Sequence, residues 1–138
     1  MDNIHATAVA LDADHGVLIV GPSGAGKSEL ALRLMAFGAH LVADDRVDLR
    51  VEDGRLIASC PATLSGMIEM RGIGILGAVP LPQAAIVLVV DLGAQETERL
   101  PPHRSRDFLG VNLPLVLRLH RGHLDVAVLQ WLKGGRRA

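Results

Sequence analysis

Residues 21–28 read Gly-Pro-Ser-Gly-Ala-Gly-Lys-Ser, a complete G-x-x-x-x-G-K-[ST] pattern. It stands between the apolar run Gly16–Val20 and the segment Ser28–Met35, whose apolar residues recur at helical spacing. Strand, glycine-rich loop and helix in that order is the setting in which the pattern carries a mechanism. Backbone N–H groups of Ser23 to Lys27 can line a concave anion site at the positive end of the helix dipole. The glycines let the main chain approach phosphate without a Cβ in the way. Lys27 is placed to reach the β- and γ-phosphates, and the Ser28 hydroxyl to ligate Mg²⁺. The expected nucleotide-binding residues are therefore Gly21, Pro22, Ser23, Gly24, Ala25, Gly26, Lys27 and Ser28.

A chain of 138 residues suits one domain around one core. Hydrophobic residues make up 49% of it, yet Phe37, Phe108 and Trp131 are the only aromatics, so the core must be aliphatic. Fourteen basic and fifteen acidic residues nearly cancel. No basic field is available to hold nucleic acid, and there is no aromatic set on which single-stranded bases could stack. Cys60 stands alone, which excludes an intrachain disulfide and fits a reducing compartment. No apolar run approaches the roughly 18 residues needed to span a membrane. Met1-Asp-Asn-Ile-His5 lacks the basic and apolar regions of a secretory signal. The expected location is the cytoplasm, without membrane or nucleic-acid partners.

Short apolar runs alternate with turn signals along the chain. Ile4–Leu11 and Val17–Val20 read as strands, and a helix follows the loop to about Phe37, with Gly38 as its stop. Leu41–Ala43, Val47–Val51 and Arg55–Ser59 read as short strands, the last two joined by the hairpin signal Asp53-Gly54. Pro61–Pro82 is rich in Gly and Pro, and its segment Arg71–Gly77 reads as a loop with a short strand. Ala84–Leu92 is a buried strand, Gly93–Asn112 a polar, turn-rich stretch, Leu115–Leu119 a strand and Leu124–Leu132 a helix. Residues 133–138 are expected to fray. The fold class is α/β, with helices too sparse and hairpins too prominent for an all-parallel sheet.

A phosphate loop leaves the reaction open, so the acids matter next. Leu41-Val-Ala-Asp-Asp45 is an apolar run ending in two carboxylates. An acid at a strand end commonly holds Mg²⁺ in nucleotide enzymes. A second acid beside it can accept a proton from an attacking hydroxyl, a contribution of roughly 10²–10⁴-fold. Asp91, which closes the apolar run Ala84–Val90, competes with Asp45 for the metal role, and composition does not choose between them. His120 and His123 flank Arg121-Gly122 without a third ligand, which a zinc site needs. Cys60 reads as a small core residue.

Three blocks, Gly21–Glu29, Leu41-Val-Ala-Asp-Asp-Arg-Val-Asp48 and Ile68-Glu-Met-Arg-Gly-Ile-Gly-Ile75, occur in an order that resembles bacterial HPr kinase/phosphorylase. The last resembles the family signature, an acid followed by Arg-Gly-x-Gly. The resemblance extends, more weakly, from His5 to about Trp131. Family members commonly carry a further N-terminal domain, and this chain resembles a short form holding the kinase domain alone.

The resemblance implies a P-loop kinase core with a mixed, strand-rich sheet akin to phosphoenolpyruvate carboxykinase. It implies an ATP- and Mg²⁺-dependent enzyme that phosphorylates a serine of HPr, the phosphocarrier of the phosphotransferase system, and so regulates carbon metabolism. It also implies phosphorolysis, in which inorganic phosphate removes the group and pyrophosphate leaves. Carried over by position, Asp44 is the proton carrier, and His5 bonds the catalytic Asp or contacts phosphate. Asp45 and Glu69 stand with Ser28 at the metal. Arg71 and Gly72 shape the side facing the serine protein, and Arg99 matches an arginine important for phosphorolysis. The family is usually hexameric, so a homo-oligomer is expected.

Between Ile75 and Arg99 the chain is shorter than typical members, and Leu119-His-Arg-Gly-His123 replaces their Pro-Gly-Arg-Asn-like turn. Those departures touch docking and subunit contacts rather than the phosphate loop. A P-loop kinase with another acceptor and a nucleotide sensor without turnover are the alternatives. Retention of Asp44 beside Lys27 and Ser28 weighs against the sensor.

Overall fold

The structure, a computed structural model, describes residues 2–138. Its strands are β1 (Asp2–His5), β2 (Thr7–Ala10), β3 (Gly16–Val20), β4 (His40–Ala43), β5 (Arg46–Glu52), β6 (Arg55–Ser59), β7 (Met67–Met70), β8 (Gly74–Gly77), β9 (Gln83–Gln95), β10 (Arg104–Phe108) and β11 (Val111–Arg118). Two helices, α1 (Lys27–Ala36) and α2 (Leu124–Gly134), complete it with a 3-10 turn at Ala62–Leu64. Nine strands form one mixed sheet in the order β1-β5-β6-β9-β3-β2-β4, with β11 on β9 and β10 on β11. β7 and β8 form a separate antiparallel hairpin.

The thirteen-residue strand β9 organises the sheet. Its first residues pair antiparallel with β6, and its later ones pair parallel with β11. Its other edge runs parallel to β3, the strand that feeds the phosphate loop. Leu88, Val90 and Leu92 pack with Leu30 and Leu34 of α1 and with Val128, Leu129 and Leu132 of α2. Ala84, Ile86 and Val89 join a second cluster with Val47, Leu49 and Leu56. A strict alternation would put Ile86 and Leu88 on one face. Their separation coincides with a register shift, where Gly16 faces Ile86 but Val17 faces Leu88, as a β-bulge produces. Burial of an aliphatic side chain such as Leu88 or Leu34 stabilises the fold by roughly 1.5–3 kcal/mol.

Turn chemistry follows the residues. Asp53 and Gly54 both take positive φ, 52° and 74°, as a two-residue hairpin turn demands. At the end of α1 the N–H of Ala39 donates to Leu34 and that of Gly38 to Met35, the bond pair of a Schellman motif.

Four segments differ from expectation. The run Ile4–Leu11 is broken at Ala6, because β1 pairs with β5 whereas β2 pairs with β3 and β4. Arg71–Gly77 is the expected loop with a short strand, but its partner strand Met67–Met70 is unexpected, with Met67 to Met70 opposing Gly77 to Gly74. The polar stretch Gly93–Asn112 contains β10, an edge strand whose Arg-Ser-Arg-Asp sequence has no apolar run to betray it. The C-terminus is tethered, since α2 reaches Gly134 and the Arg136 guanidinium donates to the carbonyls of Pro101 and Pro102. Among the described residues no helix is long and apolar enough to cross a membrane.

Candidate active site

β3 ends at Val20 and the chain turns through the loop into α1, which begins at Lys27. A bond from the Ala25 N–H to the Pro22 carbonyl (3.1 Å) closes the turn. Gly26 caps the helix at φ 99°, a conformation that side-chain-bearing residues rarely adopt. From behind, the Arg118 guanidinium donates to the carbonyls of Ala25 and Leu92 and ties the loop to β9 and β11. Lys27 is 7% exposed. Its ammonium donates to the Gly21 carbonyl (2.8 Å) and the Pro22 carbonyl (3.0 Å), so it lies folded within its own loop.

Asp44 is the first residue after β4 and is also buried. Its Oδ1 accepts from the hydroxyls of Ser28 (2.7 Å) and Thr7 (3.0 Å), and its Oδ2 from the backbone N–H of Glu69 (3.2 Å). One carboxylate thus joins the phosphate loop, strand β2 and hairpin β7–β8. Asp45 behaves differently. It is the centre of a three-residue turn closed by the Arg46 N–H on the Asp44 carbonyl (2.8 Å), with φ at 69°. That strained turn points neighbouring carboxylates apart. The Asp45 side chain is 70% exposed and lies 3.0 Å from His5 Nε2.

These groups line one cavity of about 290 Å³, together with Ser23, Gly24, Gly26, Glu29, Glu69, Met70 and Arg71. The break at Ala6 is what delivers both His5 and Thr7 to it, one from each sheet region. Gly21, Pro22 and Ala25 shape the loop without lining the cavity, and Gly72 sits in the turn of the β7–β8 hairpin. His5 lies against Asp45 rather than Asp44, as an ion-pair contact when its ring is protonated. Arg99 is not brought to the cavity. It is exposed in the segment after β9, where Glu96 accepts from the N–H groups of Thr97 and Glu98 and from both arms of Arg104.

Asp91 also stays outside the cavity. It lies beside Val20 in register, and its carboxylate takes the Arg106 guanidinium (2.8 Å) and the Gly93 N–H (2.7 Å). Burial pushes its carboxyl up, but those two donors outweigh burial and hold it below the ordinary range. Its position braces the loop strand rather than facing the site. His120 bonds Gln95 (2.9 Å), and burial raises the Cys60 thiol, with Asp48 and Asp44 adding to the effect.

Hydroxyl and carboxylate oxygens of Ser28, Asp44, Asp45 and Glu69 are hard donors that suit Mg²⁺. No group of three or more His, Cys, Asp or Glu among the described residues forms a cage. Mg²⁺ carried by phosphates needs only one or two protein oxygens, so the donor set fits. Sequence reading missed Thr7 and Arg118. A hydroxyl inside the otherwise apolar Thr7-Ala-Val-Ala10 was the available signal for the first; nothing marked the second.

Strand, phosphate loop, helix and facing carboxylates within a mixed sheet define a P-loop phosphate-binding protein. Residues 2–117 match the family described as the HPr Serine kinase C-terminal domain, and the chain belongs to that family. It is similar to HPr kinase/phosphorylase of Acidovorax sp. (strain JS42), 40% identical over 129 residues, covering 83% of this chain and 40% of that protein. The counterpart in Geobacillus thermodenitrificans is 46% identical over 105 residues, covering 70% and 32%. That in Clostridium botulinum (strain Eklund 17B) is 51% identical over 73 residues, covering 53% and 24%. The chain therefore spans well under half the length of these relatives. The fold matches the structure of the Hpr(Ser) kinase/phosphatase from Coxiella burnetii with a TM-score of 0.75 and 31% identity, over 96% of this chain and 93% of that one.

Proposed function

We propose that this chain is the catalytic domain of an HPr serine kinase that uses ATP and Mg²⁺, works in the cytoplasm, and also runs the phosphorolytic reverse. The observation that carries this reading is the direct bond between Ser28 of the phosphate loop and Asp44, with Lys27 in the same cavity. A sensor needs the loop; a group-transfer site also needs a proton carrier beside it.

Mg²⁺ bound with the nucleotide supplies charge neutralisation and holds the phosphates in line. Lys27 leaves the Gly21 and Pro22 carbonyls to take the γ-phosphate oxygens. The acceptor serine oxygen forms its bond to the γ-phosphorus as the bond to the bridging oxygen of ADP breaks. Asp44 takes the hydroxyl proton. In reverse, an oxygen of inorganic phosphate attacks the phosphoserine, the serine oxygen recovers its proton from Asp44, and pyrophosphate leaves. Arg71 lines the rim where the acceptor protein enters, and no role is assigned to Arg99. The Ser28–Asp44 bond supports a second assignment, in which Asp44 orients the metal-ligating hydroxyl and Asp45, paired with His5, carries the proton.

The test is the intact mass of HPr after incubation with this protein, ATP and Mg²⁺, beside an HPr whose acceptor serine is alanine. One added phosphate on the first and none on the second supports the reading. No added phosphate, with nucleotide binding confirmed, overturns HPr as the acceptor.

A further inference from the structure

Among the described residues three polar or charged side chains are buried: Lys27, Asp44 and Thr7. The first two belong to the phosphate loop and the acid pair. Thr7 is 0% exposed and opens β2, a strand otherwise built from Ala and Val. Valine would fill nearly the same space with no hydroxyl to satisfy, and an unpartnered buried hydroxyl is costly. The hydroxyl is partnered by one group, Asp44 Oδ1, across 37 positions of sequence.

Two hydroxyls therefore converge on one oxygen of Asp44, while Oδ2 is left with a longer contact to the Glu69 N–H. A carboxylate can rotate about its terminal torsion, whose energy well is broad. Ser28 alone holds one oxygen by one bond, which leaves the carboxylate free to swing about that contact. Thr7 approaches from a strand rather than a loop, and main-chain pairing with Ile19 holds it rigidly. A group placed on a strand fixes direction better than one on a mobile segment.

We infer that Thr7 is a positioning residue: its hydroxyl locks the Asp44 carboxylate so that Oδ1 stays on the Ser28 side and Oδ2 turns to the cavity. The inference rests on the kinase reading for its effect on rate, but not for its effect on Asp44 geometry. Thr7 makes no contact with substrate in this scheme. It acts through Asp44 alone.

The test compares Thr7→Val and Thr7→Ser with the unaltered protein in two measurements. With HPr, ATP and Mg²⁺, Thr7→Val should lower kcat on the order of 10–100-fold, as loss of an outer partner does in comparable sites. Its KM for ATP and its thermal midpoint should not fall, and Thr7→Ser should recover most of kcat. A fully active Thr7→Val, or a Thr7→Ser as slow as Thr7→Val, overturns the inference, since the second result would implicate the methyl group and packing. The crystal structure of Thr7→Val is the second measurement. A rotated Asp44 carboxylate supports the inference and an unmoved one overturns it. If the unaltered protein transfers nothing to HPr, the kinase reading falls, and the crystal structure still decides the role of Thr7.

Discussion

Lys27 spends two of its three N–H donors on carbonyls of its own loop, so binding phosphate is an exchange of partners within a buried site. Removing the ammonium leaves those carbonyls facing the phosphates with nothing to offset their partial charge. Lys27→Ala should accordingly abolish transfer, and near-normal turnover in a quench-flow assay would remove the phosphate-loop mechanism. Asp44→Asn is a finer probe. Its amide oxygen can still accept from Thr7 and Ser28, but its amide nitrogen would oppose the Glu69 N–H, donor against donor. Transfer should fall by roughly 10²–10⁴-fold, with nucleotide affinity, followed by calorimetry, retained. A loss confined to Mg²⁺ affinity would instead give Asp44 the metal side and Asp45 the proton.

At the level of elements, α1 depends on how it is entered. Gly26 has open space where a Cβ would go, so sterics with neighbours are not what forbids a side chain there; its φ of 99° is. Gly26→Ala should weaken nucleotide binding about tenfold or more and lower the melting transition by several degrees, since left-handed strain at one residue costs of order 1–3 kcal/mol. Equal nucleotide affinity in fluorescence titration would show that the loop tolerates another conformation. The loop, α1 and the Asp53-Gly54 turn were legible because glycine, helical spacing and the Asp-Gly pair each have a local physical meaning. β10 was not, because edge pairing with β11 compensates a polar sequence, and partners across a sheet leave no trace in a short window. The β7–β8 hairpin hid for the opposite reason: Ile73 and Ile75 are apolar yet highly exposed, so no burial period marks it. The paired acids could be seen, but not that a strained turn at Asp45 would send them to different partners.

The whole molecule carries an acid-sensitive clasp away from its cavity. The hydrogen bonds from Arg104, which outweigh burial, and the N–H groups of Glu98 and Thr97 lower the Glu96 carboxyl from 4.5 to about 2. Folding thus releases a proton that the unfolded chain would hold. The stabilisation is complete above the ordinary glutamate range and is lost as pH falls from about 4.5 toward 2. Asp91 and Asp12 are lowered as well and act in the same direction. Thermal midpoints should be level near neutrality and fall through this window. Glu96→Gln should be less stable at pH 7, with the difference closing near pH 2; a constant offset across that range would show that charge is not what the clasp contributes. The long strand β9 has a consequence of another kind. β3 is made early, but its parallel neighbour lies beyond residue 82, and pairing across such a separation is slow to form. Before that pairing forms, the phosphate loop has β3 and its neighbour β2 behind it but lacks the strand on its other side. A ligand that binds only the seated loop would therefore stabilise the chain after β9 has docked and not before.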